Sequence, residues 1–317
     1  MSALLLSSVK DEGPWLIEWV AFHDALKFND ILIYQNDSTD LTHEILSRLQ
    51  ALGVIHYKIN ADDKVQRSNE RKKRPQLDAF ADAFQSDLYN RNDWCLVMDN
   101  DEYLNLKIHD NIDHFCAYHG GAHAVAINWR CFGSSGRVLW SPLMTIDRFD
   151  HCAPERHYTS RKFKSIHRTN VGFKAIGIHR PAPSGAPREE YVYSDGTRLP
   201  DALQVSSGEN RWKDSRGYHE FAQVNHYAVR SREEAERKMI RGRGTGKPSH
   251  VFEEYFQKFD LNHQHETSIS RHAQKAHRRF NELMDDPILR ALHKDTCAIH
   301  FEIDRAAEVA RAQRNAA

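Results

Sequence analysis

Short apolar runs and helical patterns alternate through the first hundred residues, and this alternation limits the fold more than any other feature. Leu4–Val9 reads as a buried strand. A helix is predicted from Pro14, because proline suits a first helical turn, and Trp15, Leu16, Trp19, Val20 and Leu26 then recur at helical spacing. Ile31–Tyr34 reads as a second strand. Ile45, Leu46, Leu49 and Leu52 line the next helix, which Gly53 stops. Val54–Ile59 is a third strand. Leu77, Phe80, Ala81, Phe84 and Leu88 mark a further helix, and Trp94–Met98 is a fourth strand. This βαβαβαβ order predicts an α/β fold: a mainly parallel sheet with helices on both faces.

The rest of the chain is less regular. Ala124–Trp129 and Ala222–Val229 read as strands. Between them lie a glycine turn at Phe132–Gly136, a mixture of basic, aromatic and histidine residues from His151 to His179, and a loop from Pro181 to Pro187. Ser231-Arg232-Glu233-Glu234 has the form of a capping box and opens a helix through about Ile240. The glycine-rich segment Arg241 to Lys247 breaks it. From Val251 the pattern is helical to an alanine-rich end. The expected organisation is a main domain over residues 1–247 and a C-terminal helical extension over 248–317.

Charge excludes some functions. The chain has 317 residues, with 44 basic and 44 acidic side chains. A net charge of zero argues against a nucleic-acid partner, which usually requires a basic excess. No run approaches the roughly 18–20 apolar residues of a membrane span. The C-terminal helices carry mixed charge, which leaves room for peripheral membrane contact without requiring it. The five cysteines are scattered, odd in number and without a CxxC pair. Leu4–Leu6 is too short for a secretion signal, and charged Lys10-Asp11-Glu12 follows at once. A reducing cytoplasm is the expectation.

Sheets of this kind bind ligands beyond the carboxyl ends of their strands. Three polar clusters fall there: Lys10-Asp11-Glu12, Asn36 to Asp40, and Asp99 to Glu102. Two carboxylates at i and i+2, as in Asp99-Asn100-Asp101, can converge on one hard divalent cation. Mg²⁺ and Mn²⁺ prefer oxygen ligands and pair with phosphates. The plain alternative is a turn rich in Asp and Asn. The basic run Arg71 to Arg74 could cradle phosphates or form a solvated patch. Arg241 and Arg243 could close over a diphosphate or complement a helix dipole. Trp129 and Trp140 could be sugar platforms or core residues.

Five segments in order carry a resemblance. They are Lys10-Asp11-Glu12 with Leu16-Ile17-Glu18-Trp19 and His23; Tyr34-Gln35-Asn36-Asp37-Ser38-Thr39-Asp40; Met98-Asp99-Asn100-Asp101-Glu102-Tyr103-Leu104; Trp129-Arg130-Cys131-Phe132-Gly133-Ser134-Ser135-Gly136; and Asn225-His226-Tyr227-Ala228-Val229-Arg230-Ser231 with Lys238 and Arg241-Gly242. Together they resemble the family-2-like glycosyltransferases, and more narrowly the family 92, DUF23-related branch. The resemblance spans about residues 3 to 245. One position departs: Asp11 stands where that family commonly has Asn, and an ionised Asp accepts hydrogen bonds but cannot donate them.

The resemblance implies a GT-A fold, a nucleotide-diphosphate sugar donor (a UDP-sugar foremost), a Mn²⁺ or Mg²⁺ cofactor, and a saccharide or other hydroxyl acceptor, as in polysaccharide biosynthesis. Asp99 and Asp101 would hold the metal or its water, with Asp99 alternatively touching the ribose. His226 would complete the metal shell, or else only pack near a strand end. Glu12 and Asp37 would receive base and ribose, and Lys10, Arg71 and Arg241 would serve the donor. Glu155 is favoured as catalytic base over Asp147 and Asp150; a retaining enzyme would need no such base there. Two other readings compete. One is a nucleotide-sugar-binding protein without turnover. The other is a Mg²⁺-dependent phosphohydrolase, disfavoured because its nucleophile would follow the first strand, where no DxD stands.

Overall fold

The structure, a computed structural model, describes residues 1–60, 75–183, 190–204, 217–241 and 251–302. The first part runs β1 (Ala3–Val9), α1 (Gly13–Ala25), β2 (Asp30–Gln35), α2 (Thr42–Ala51), β3 (His56–Ile59), α3 (Pro75–Phe84), α4 (Asp87–Arg91) and β4 (Trp94–Val97). The predicted alternation is present. The helix expected through Leu88 is two helices, because Ser86 adopts extended backbone and caps the second one, its Oγ accepting from the Tyr89 N–H at 3.2 Å.

The chain continues through β5 (Glu102–Leu106), α5 (Ile112–Tyr118), β6 (Ala124–Cys131), α6 (Thr145–Arg148), β7 (His151–Cys152), β8 (Phe163–Arg168), β9 (Tyr191–Tyr193), α7 (Asp201–Gln204), β10 (Ala222–His226) and α8 (Arg232–Arg241). It then forms α9 (Phe252–Phe259), β11 (Gln264–His265), α10 (Ser270–Met284) and α11 (Pro287–Cys297). The main sheet has the order β3-β2-β1-β4-β8-β6-β10-β5, with β9 also paired to β6. Strands β3, β2, β1 and β4 are mutually parallel. Strand β8 enters antiparallel between β4 and β6, and β5 returns antiparallel along β10. The fold is therefore a mixed, mainly parallel α/β sheet with C-terminal helices.

Alternation along each strand sends side chains to opposite faces. Ala3 and Leu5 of β1 join Leu16, Ile17 and Val20 of α1 and Ile45 and Leu49 of α2. Leu4 and Leu6 join Leu32, Tyr34, Cys95 and Val97 against Ala79, Phe80 and Ala83 of α3. Helices thus cover both faces, and each fully buried Leu contributes about 2 kcal/mol.

Ile269, Ala276, Leu283 and Leu289 of the C-terminal segment belong to the same core as α1. Gly13 opens α1 beneath α11. A Cβ there would lie 2.2 Å from Thr296 Oγ1, so the close approach leaves no room for a side chain. The C-terminal helices thereby press on the loop that follows β1.

Candidate functional site

After β4 the chain turns through Asp99-Asn100-Asp101 into β5. The Asp99 N–H donates to Glu102 Oε2 at 2.8 Å, and the Asp99 carbonyl accepts from the Glu102 N–H at 3.0 Å. Asn100 donates through Nδ2 to Glu12 Oε2 at 3.1 Å. Arg230, just past β10, donates to the Asn100 carbonyl at 2.9 Å and lies 3.6 Å from Glu12 Oε2, with its guanidinium over the Trp15 ring at 4.3 Å. Glu12 and Arg230 therefore tie the acidic turn to two other strand ends.

The loops after β1 and β2 are joined to each other. The Thr39 N–H donates to Asp11 Oδ1 at 2.6 Å, and the Asp11 N–H donates to Ser38 Oγ at 3.1 Å. Asp11 acts here as an acceptor, the role its charge permits. Asp11 and Asp37 both hold left-handed backbone, at φ 49 and 45. Asp and Asn tolerate that region better than most residues. The Glu12 N–H donates to Thr42 Oγ1 at 3.0 Å, which couples the same loop to the start of α2. Lys10 is half-buried and Asp37 exposed at this edge.

The two aspartates of the turn part company. Asp101 is buried, and its Oδ2 accepts from Lys238 Nζ of α8 and stands 3.5 Å from His226 Nε2. His226 closes β10, paired opposite Glu102 on β5 and Cys131 on β6. Its ring lies 4.3 Å from that of Trp129, whose buried Nε1 finds no hydrogen-bond partner among the described residues. Asp99 faces the other way. Its Oδ2 is 2.9 Å from Lys164 Nζ, and its Oδ1 accepts from Gln76 Nε2 at 2.8 Å. Lys164 lies on β8, is wholly buried, and also reaches Glu102 Oε2 at 3.1 Å.

Burial disfavours each of these charges, and the lysines decide which survive. Partial burial would raise the Asp99 carboxyl, but Lys164 foremost, together with His179, holds it below its ordinary value. Burial would likewise raise Asp101; Lys238 and then His226 hold it well below the usual range. Burial pushes Glu102 up to about 8, against the pull of Lys164 and with the help of Asp99 and Asp101. The turn thus sets two ionised aspartates against two ammonium groups, with the buried Glu102 bonded to Lys164 and to the Asp99 N–H beneath them.

A buried polar layer anchors α8. The predicted capping box forms: the Ser231 N–H donates to Glu234 Oε2 at 3.1 Å and the Glu234 N–H to Ser231 Oγ at 3.3 Å. Glu234 also accepts from Arg148 at 2.7 and 2.9 Å and from Trp15 Nε1 at 2.8 Å. The helix that carries Lys238 is fixed at its first turn by these bonds.

For a divalent cation, Asp101 and His226 offer one carboxylate and one imidazole facing each other. Among the described residues no group of three or more His, Cys, Asp or Glu side chains could hold a metal ion. Two protein donors fit the way Mg²⁺ and Mn²⁺ bind beside substrate phosphates, which with water supply the other positions. Asp99 is directed to Lys164 rather than to that pair.

Of the residues expected from sequence, Asp101 meets His226, Glu12 is bonded to Asn100 of the same turn, and Asp99 turns away to Lys164. Arg71 lies outside the described residues, as does the side chain of Arg241. Glu155 is more than half exposed, with Oε1 3.5 Å from Arg130 Nη1. Arg130 also donates to Cys152 and Gln264, whereas its neighbour Cys131 contacts His226, so the two point to opposite faces of β6. Asp147 pairs with His277 at 2.8 Å, and Asp150 lies between His151 at 2.7 Å and His265 at 3.2 Å. Trp140 stacks on Phe301 at 4.6 Å, a packing role, while Trp129 stays at the site. Lys164 escaped the sequence reading. Its signal is an ammonium inside a strand, which burial tolerates only beside a carboxylate.

No protein-family model matches the chain, and no curated protein matches it. Among solved structures, S. aureus TarS 1–349 in complex with UDP is similar at 15% identity and TM-score 0.31, over 53% of this chain and 47% of that one. TarS 1–349 without a named ligand is similar at 12% identity and TM-score 0.33, over 90% of this chain and 72% of that one. Glucosyl-3-phosphoglycerate synthase from Mycobacterium tuberculosis, in complex with Mn²⁺, UDP and glucosyl-3-phosphoglycerate, is similar at 13% identity and TM-score 0.29, over 41% of this chain and 44% of that one. The chain spans about half the length of the first of these. Likeness at such TM-scores carries no inference about this chain.

Proposed function

We propose that this chain is a metal-dependent glycosyltransferase of GT-A type, resembling the family 92 branch. It moves a sugar from a nucleotide diphosphate, a UDP-sugar foremost, to a hydroxyl of a saccharide or other acceptor. The observation that carries this reading is the meeting of Asp101 with His226, 3.5 Å apart, past the carboxyl ends of β4 and β10, on a turn whose Asn100 is bonded to Glu12 of the β1 loop. No helix of the described residues is long and apolar enough to cross a membrane, which is compatible with a cytoplasmic or membrane-peripheral place.

Departure of the sugar leaves negative charge on a diphosphate. Asp101 and His226 would hold a Mn²⁺ or Mg²⁺ ion, which would supply Lewis-acid stabilisation of that charge. Lys164, Lys238 and Arg230 surround the turn with positive charge of the same sense. Lys10, Arg71 and Arg241 are proposed to extend it along the donor. Glu12 and Asp37 accept hydrogen bonds from base and ribose hydroxyls. Trp129 covers His226 and keeps water from one side of it. For an inverting outcome Glu155 is the proposed base, and it must then leave Arg130 for the acceptor hydroxyl. The C-terminal helices, proposed as an extension of the transferase domain, support the β1 loop through Gly13.

Turnover of UDP-sugars with Mn²⁺ tests the reading, with the wild type beside Asp101→Asn. Metal-dependent transfer or hydrolysis that the variant loses supports it. Equal metal-dependent turnover in both contradicts the site. Binding of UDP and Mn²⁺ without turnover of any donor replaces it with the binding-protein reading.

A further inference from the structure

The two lysines of the site are held differently. Lys164 is wholly buried, fixed between Asp99 at 2.9 Å and Glu102 at 3.1 Å. Lys238 is about one quarter exposed, at 24%. Its Nζ donates to Asp101 Oδ2 and to the Ala228 carbonyl at 2.9 Å, and lies 6.0 Å from the centre of the Tyr255 ring. Asp101 Oδ2 is also the oxygen nearest His226 Nε2, at 3.5 Å. A cation bonded to both Oδ2 and Nε2 would lie roughly 2 Å from each. That position cannot be shared with an ammonium on the same oxygen, because two positive charges so close repel strongly at low dielectric.

We propose that Lys238 is an internal stand-in for the metal: it holds Asp101 while the site is empty and passes to the diphosphate when cation and nucleotide arrive together. The inference rests on the transferase reading above. A metal ion alone must take Asp101 from a bonded ammonium, which loses its carboxylate partner and keeps only neutral ones such as the Ala228 carbonyl. A metal ion that comes with a diphosphate gives the displaced ammonium new oxygens to bond. Metal and nucleotide therefore favour each other's binding, and by linkage the coupling is the same in both directions. Lys238 has the flexible stem this exchange needs, and Lys164 stays in place to hold Asp99 throughout.

The test counts free Mn²⁺ by electron paramagnetic resonance during titration of the full chain, with and without UDP. Wild type, Lys238→Met and Lys238→Gln are compared, each checked for folding by circular dichroism. The wild type is expected to bind Mn²⁺ weakly alone and at least about tenfold more tightly with UDP. Both variants are expected to bind Mn²⁺ alone about tenfold more tightly than the wild type, with the UDP coupling largely lost. Adding Asp101→Asn to either variant should erase the gain. A Lys238 that only positioned Asp101 would give the opposite sign, a loss of metal affinity on substitution. Unchanged or weaker Mn²⁺ binding in both variants, while the wild type still binds UDP with Mn²⁺, overturns the stand-in role and leaves the transferase reading intact. Wild type that binds Mn²⁺ neither alone nor with UDP overturns both.

Discussion

The two halves of the sheet bring opposite charges to one seam. The parallel half, β3-β2-β1-β4, ends in acids: Asp11, Glu12, Asp37, Asp99 and Asp101. The mixed half, β8-β6-β10-β5 with α8, brings Lys164, His226, Arg230 and Lys238. Neither half makes a site alone. The acids need partners to remain ionised when buried, and the lysines need carboxylates to remain charged. A site of this construction is set by where the halves meet, which here is the turn between β4 and β5.

The largest expected effect comes from breaking the seam at its centre. Asp101→Asn keeps the size of the side chain but removes the charge that draws Lys238 and faces His226. Metal-dependent turnover should fall by about 10²–10³-fold, as when one electrostatic group is removed from a catalytic centre. Steady-state kinetics with a UDP-sugar and Mn²⁺ measure it, and a loss below tenfold would show that Asp101 is not central.

Next in size is Lys164→Met, which leaves Asp99 and Glu102 beside each other without their shared cation. Removing one partner of a buried pair should destabilise by on the order of 3 kcal/mol. Urea unfolding checks this, and a stability equal to wild type would mean the two halves are not held together by that charge.

A smaller effect separates the halves by pH. Burial lowers His23, on α1, to about 3 and His167, on β8, to about 3. Each unfolded imidazole takes up a proton below its ordinary 6.5, while the folded one refuses it until about 3. The stability they contribute is thus complete above about 6.5 and lost as pH falls from there toward 3. Each should account for up to about 2 kcal/mol between pH 7 and pH 5. His23→Gln and His167→Gln should each flatten the pH dependence of the urea midpoint. An unchanged slope in one variant would show that its half does not bury a neutral imidazole.

The smallest effect tests the support of the first half. Gly13→Ala places a methyl against Thr296 Oγ1, which must rotate away, at a cost of about 1 kcal/mol. Thermal unfolding should recover in part when Thr296→Ala is added, the remaining loss coming from Asp40 Oδ2, 2.9 Å from the same position. No loss in the single variant would mean that α11 does not press on the β1 loop.

The halves also differ in how much of them the sequence reveals. Strands β1, β2 and β4 are apolar runs bounded by helices of clear period, so the acids at their ends could be located by counting. Strand β8 reads Phe163-Lys164-Ser165-Ile166-His167-Arg168, with polar groups satisfied only by residues far away in the chain. No local pattern announces it. Strand β5 begins at Glu102, one residue after the turn, and its acid looked like the end of an element rather than the start of one. The capping box was legible because it is a short-range signal, whereas His226 was singled out only by the family resemblance. The pairing of Lys238 with Asp101 spans 137 residues and follows only from strand order. Glu155 illustrates the same limit: its place in a loop after a proline was visible, and its partner Arg130 was not.

The proposed function requires that this seam bind a nucleotide diphosphate and a divalent cation together. Thermal unfolding with UDP, with Mn²⁺ and with both, on wild type and on Asp101→Asn, tests it most directly, because a ligand of the folded state raises apparent stability. The predicted result is a rise in midpoint with both ligands that exceeds the sum of the separate rises and is lost in Asp101→Asn. No rise with both ligands, or an equal rise in the variant, would contradict it.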